Sequence, residues 1–110
     1  MEKQRILYAH PISTRRHRYQ RLLSRLGYDV TVVENGLQCL SEFRALRPDI
    51  LILDPHILWG GSQGVVRVLR DEGHLEGTRV LCNPGPLTNQ LVEIPAWFPA
   101  TVESPFDVLA

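Results

Sequence analysis

At 110 residues the chain is one compact domain long, which excludes an enzyme with separate cofactor and substrate halves. Hydrophobic residues make up 44% and charged residues 22%, a globular balance rather than that of a disordered tail, and twelve basic residues offset twelve acidic ones, leaving no overall excess to drive nucleic-acid binding. Two cysteines, Cys39 and Cys82, are too few for a disulfide-built fold, and neither a leader nor a membrane-length apolar run is evident, so the expectation is a cytoplasmic single domain over residues 1–110 with no membrane contact.

Arg5 to Ala9 (RILYA) is a short apolar run ending at His10-Pro11, which predicts a strand stopping at a loop. Ser13 or Thr14 can cap the next segment, where Tyr19, Leu22, Leu23 and Leu26 recur on one helical face before Gly27 closes it. This region is basic: residues 1–26 hold seven Lys and Arg against Glu2 alone, a net of +6. Val30 to Val33 is β-branched and predicts a second strand. Asn35 caps a second helix whose Leu37, Leu40, Phe43 and Leu46 are expected to face inward until Pro48.

Ile50 to Leu53 is apolar at every position, as in a strand covered on both faces, and Asp54 ends it. A glycine-rich loop from Trp59 to Gly64 leads into a helix carrying Val65, Val68 and Leu69. It is not a phosphate-binding loop, since the required lysine is missing. Arg79 to Cys82 predicts a fourth strand. Leu87, Leu91 and Ile94 could share the face of a short helix, and Ala100 to Glu103 predicts a fifth strand. Prolines 84, 86, 95, 99 and 105 forbid any long helix in this last stretch. Alternating strands and helices imply an α/β fold, with a parallel sheet and ligand chemistry at the carboxyl ends of its strands. That rule brings His10, Asp54, the residues around Asn83, and Ser104 to one edge.

The order and spacing of several stretches resemble a response-regulator receiver domain of two-component signalling. They are Asn35-Gly36, Arg47 to Asp54 (RPDILILD), the glycine-bearing loop that follows, and Ser104-Pro105-Phe106. The resemblance implies a flavodoxin-like three-layer sandwich with a five-stranded parallel sheet in the order 2-1-3-4-5. It also implies an aspartate after the third strand that takes a phosphoryl group from a histidine kinase with the help of magnesium. Asp54 matches that acceptor. Where the family carries two acidic residues to hold magnesium, this chain has His10, Pro11 and Ile12; the family's hydroxyl position falls near Asn83, and its lysine position is Ser104. A hard dication wants several oxygen ligands, which one aspartate cannot supply. The chain therefore reads as a degenerate, pseudo-receiver form whose last helix is largely missing.

His10 is expected to donate a hydrogen bond to Asp54. A zinc site of His10, Asp54 and His56, with Cys82 as a further ligand, has suitable residue types but no ligand-spacing motif, so no metal or other cofactor is expected. Arg18, Arg21 and Arg25 form a stripe that is either a solvated face or a dock for an acidic partner. Without the last helix, the sheet face near Trp97 and Phe98 would stay partly bare, which implies a homodimer or a protein partner. No catalytic set is spaced for an enzyme. The expected function is a receiver-like signalling module, not phosphorylated in a magnesium-dependent way and acting by protein–protein contact, with no nucleic-acid binding of its own. The alternative is a working receiver phosphorylated on Asp54 by a histidine kinase, which alone would need magnesium.

Overall fold

The computed structural model describes residues 3–54, 61–82 and 92–94. In chain order the elements are β1 (Arg5–Ala9), α1 (Ser13–Arg25), β2 (Asp29–Val33), α2 (Gly36–Leu46), β3 (Ile50–Leu53), α3 (Gly61–Asp71), β4 (Arg79–Cys82) and β5 (Val92–Ile94). The sheet order is β2-β1-β3-β4-β5, and over its first four strands it is the parallel order that the resemblance implied. β1 pairs in parallel with β2 and β3, and β3 with β4.

β5 departs from the expectation in place and direction. It comes from the segment read as a short helix, and it runs antiparallel to β4, with Val80 opposite Ile94 and Cys82 opposite Val92. Only nine residues separate Cys82 from Val92, whereas a parallel crossover takes about a dozen or more. A chain that short can return beside β4 only in the opposite sense. The sheet thus has four parallel strands and one antiparallel edge; Ala100 to Glu103 and the chain end lie outside the described residues.

Strand alternation splits the core in two. Leu7, Ala9, Leu51, Leu53, Val80 and Cys82 face α2 and α3, where they meet Cys39, Leu40, Phe43, Val65, Val66 and Leu69. Ile6, Tyr8, Ile50 and Ile52 face the other way, onto Tyr19 and Leu23 of α1. All four residues of β3 are buried, as its unbroken apolar run requires, and each such side chain contributes roughly 1.5–3 kcal/mol by leaving water.

The covered helix faces are narrower than those expected. α2 buries Cys39, Leu40 and Phe43 and leaves Leu37 exposed, with Leu46 partly buried. α1 buries no residue fully; Tyr19 and Leu23 pack on the sheet, while Leu22 and Leu26 stay in solvent. A single helix lying on a sheet covers only a narrow stripe, and that stripe falls on Tyr19 and Leu23. α3 begins at Gly61, three residues earlier than Gly64.

Helix ends explain the chain's local punctuation. The Asn35 side chain accepts the Gln38 backbone N–H at 2.8 Å, capping α2. α1 starts without such a cap, since Ile12 rather than Ser13 or Thr14 holds that position. Gly27 (φ 98°) and Gly73 (φ 75°) end α1 and α3 with the same paired bonds: Gly27 N–H to Ser24 O and Tyr28 N–H to Leu23 O, then Gly73 N–H to Arg70 O and His74 N–H to Leu69 O. Asp49 closes the opposite end of the sheet from Asp54, its carboxylate accepting the Arg5 backbone N–H at 2.8 Å.

Candidate functional site

The carboxyl ends of β1 and β3 place His10 and Asp54 side by side. Each is fixed first through its backbone, His10 N–H donating to Val33 O (3.1 Å) and Asp54 N–H to Ala9 O (3.0 Å). Their side chains then meet, with His10 Nε2 3.2 Å from Asp54 Oδ2. His10 is the one buried polar residue among those described.

The imidazole's other nitrogen decides its state. His10 Nδ1 accepts the backbone N–H of Ile12 at 3.1 Å, so it carries no proton, and the ring hydrogen belongs to Nε2, the nitrogen that lies 3.2 Å from Asp54 Oδ2. The ring is therefore neutral. Burial acts in the same direction: it lowers the His10 pKa below the ordinary 6.5, and Arg15 and Arg16 lower it further, against the opposing pull of Asp54. Arg16 also donates to the His10 carbonyl oxygen at 2.8 Å and lies 3.8 Å from Glu34, tying α1 to the strand end.

Aromatic rings continue the wall. Tyr8 stacks on His10 at 6.0 Å and on Tyr19 at 5.1 Å. Burial, then the proximity of Tyr19 and Asp54, raises the Tyr8 phenol above its usual range, so it stays protonated. Tyr8, His10, Arg15, Tyr19, Ile52, Leu53 and Asp54 line a shallow open cleft. Among the described residues Asp54 is its sole carboxylate, its side chain 16% exposed.

These residues do not fit a magnesium site. The positions after β1 offer an imidazole, a proline and the 52% exposed Ile12, and the His10 ring stands 3.2 Å from the carboxylate a cation would need. Nor do three His, Cys, Asp or Glu side chains gather around a metal position among the described residues. Cys82 and Cys39 are both buried, and burial pushes the Cys39 thiol up to about 12. His56, Asn83, Trp97, Phe98 and Ser104 lie outside the described residues. Arg18, Arg21 and Arg25 are exposed on α1, away from the cleft.

Arg15, Arg16, Tyr8 and Tyr19 are the contributors that the sequence reading missed. Their signal is spacing: Tyr8 and His10 share one face of a strand, and Arg15 and Tyr19 share one face of the helix that starts just beyond it.

No family model matches the chain. It is 38% identical over 73 residues to the transcriptional regulatory protein CseB of Streptomyces avermitilis, a match covering 64% of this chain and 30% of that protein's length. Among solved structures it is similar to the chemotaxis response regulator CheY4 of Vibrio cholerae (TM-score 0.70, 20% identity, 74% of this chain and 68% of that one). It is also similar to the receiver domain of the Pseudomonas aeruginosa sensor histidine kinase PA1611, described with magnesium coordinated in its active site cleft (TM-score 0.71, 20% identity, 80% of this chain and 73% of that one). With four parallel strands in the order β2-β1-β3-β4 and an aspartate closing β3, the chain has the fold of response-regulator receiver domains.

Proposed function

We propose that the chain is a receiver-like signalling module whose aspartate is not phosphorylated in a magnesium-dependent way and which signals through contact with a protein partner or a second copy. The observation that carries this reading is the His10 imidazole, held by Ile12 N–H on one side and set 3.2 Å from the Asp54 carboxylate on the other. A receiver that binds magnesium, as the Pseudomonas domain is described to do, needs acidic oxygens there. Without a dication, an incoming phosphoryl group and the Asp54 carboxylate would repel each other by roughly 4 kcal/mol per unit pair at 4 Å and an effective dielectric of ~20. That is about a thousandfold in rate.

A second reading, a working receiver served by a histidine kinase, draws on one observation: Asp54 opens to the cleft at the acceptor position. Magnesium titration followed by amide shifts separates the two. The first reading expects His10 and Asp54 to stay unmoved at millimolar magnesium, and saturable shifts centred on those residues would reject it. The setting proposed for the module is the cytoplasm; among the described residues no helix is long and apolar enough to cross a membrane.

A further inference from the structure

Where α2 and α3 end, the side chains of Arg44, Arg47, Glu72 and His74 interlock. Arg47 caps α2 in the left-handed region (φ 49°), the one non-glycine residue there among those described, with its N–H on Phe43 O at 2.9 Å. His74 follows Gly73, whose left-handed turn closes α3 and lets the His74 N–H reach Leu69 O at 2.9 Å. The two helix exits are thereby set against each other. Arg47 Nη1 lies 2.9 Å from His74 Nδ1. The other ring nitrogen, Nε2, lies 3.1 Å from Glu72 Oε2, and the Arg44 guanidinium donates to the same carboxylate through Nε and Nη2. Arg47 and Arg44 from α2 and Glu72 from the end of α3 are the charged groups facing the ring, and the Phe43 ring stands on another side at 6.3 Å.

Donor chemistry fixes the state of this ring. A guanidinium only donates, so His74 Nδ1 is the acceptor and carries no proton, which leaves the ring hydrogen to Nε2, the nitrogen beside Glu72. Of the residue types in this group only histidine takes up a proton near neutrality. Glu72 stays ionised there, because its hydrogen bonds from Arg44 hold its carboxyl below the usual carboxylate range. A proton added to His74 must go to Nδ1. It then faces the Arg47 guanidinium donor against donor and charge against charge, while the Nε2 contact with Glu72 becomes an ion pair. One contact breaks as the other tightens.

We propose that His74 is a proton-operated latch between α2 and α3: neutral, it holds the Arg47 cap of α2, and protonated, it releases Arg47 and closes on Glu72. Once released, Arg47 keeps a backbone state that side chains rarely adopt, without the contact to His74 that anchors it, so the last turn of α2 opens more often. The body of the helix stays in place, since Cys39, Leu40 and Phe43 remain in the core and Arg5 Nη1 still holds Leu46 O at 2.7 Å. Arg47 is two residues from Asp49, at the opposite end of the sheet from Asp54. The latch is therefore independent of whether that aspartate accepts a phosphoryl group.

Amide hydrogen exchange of the full chain, read residue by residue by NMR at about pH 7.5 and about pH 5, tests the latch. All proteins compared carry His10→Asn, which removes the acid response of the cleft. After correction for the intrinsic effect of pH on exchange, protection of the Arg47 amide is expected to fall at least roughly fivefold on acidification while that of Leu51 in β3 holds. His74→Asn, and independently Arg47→Ala, should leave position 47 weakly protected at both pH values, with no further loss in acid. Nitrogen-15 spectra of the His74 imidazole, assigned by its disappearance in His74→Asn, should show the Nε2–H form at the higher pH. An Nδ1–H ring at that pH, unchanged protection of Arg47 in acid, an acid loss at position 47 that persists in His74→Asn, or a loss of equal size at Leu51 would overturn the proposal.

Discussion

His10 concentrates the chemistry that distinguishes this cleft. Its folded pKa lies below 6.5, chiefly through burial, so between the folded value and 6.5 the unfolded chain binds a proton that the folded one refuses. Stability contributed by this residue is therefore full above the unfolded value and is lost as pH falls through the folded one. Denaturation midpoints measured on either side of that window should drop on acidification, and drop less in a His10→Asn variant. An equal acid response in both proteins would refute the assignment. Nitrogen-15 spectra of the imidazole should show the Nε2–H form at neutral pH. The meeting of His10 with Asp54 was legible from the sequence, because residues that end neighbouring parallel strands share an edge. The place of Arg15 was not, since periodicity gives the face of a helix but not its crossing angle over the sheet, and charge content counted Arg15 only within the basic total of residues 1–26.

At the scale of elements, stops were more legible than faces. Gly27 and Asn35 sit where their backbone demands put them, whereas the covered faces of α1 and α2 are narrower than their apolar patterns because the strands below, not the helix pattern, choose which side chains are covered. Two glycines make the distinction measurable. A Cβ at either Gly27 or Gly64 meets nothing within 4 Å, yet Gly27 has φ 98° and Gly64 lies inside α3. Gly27→Ala should destabilise by about 1 kcal/mol through left-handed strain, and Gly64→Ala should stabilise by up to about 1 kcal/mol through helix propensity. Chemical denaturation checks both, and effects of the same sign would mean that the helix ends are misassigned. Val92–Ile94 was read as the end of a short helix for a different reason: the apolar spacing of Leu87, Leu91 and Ile94 imitates a helix, while the short connection from β4 favours an antiparallel return.

For the whole molecule, one sheet with two apolar clusters carries the stability, and Phe43 is the largest fully buried side chain in it. Phe43→Ala should cost about 3–5 kcal/mol, enough to approach the total stability of a domain this size; a thermal melt near that of the parent would show that the core is not where the clusters put it. The α/β layering and strand order were readable because β-branched and apolar runs alternate with amphipathic ones, and the fold then brings the strand ends of β1 and β3 together whatever side chains they carry. Fold and chemistry separate at that point. The receiver fold is present, while the position after β1 sets the His10 imidazole, not a carboxylate, beside its aspartate. Incubation of the full chain with acetyl phosphate and magnesium, followed by intact-mass spectrometry, tests this most directly: the account predicts an unchanged mass, and a stoichiometric, magnesium-dependent phosphoryl adduct on Asp54 would contradict it.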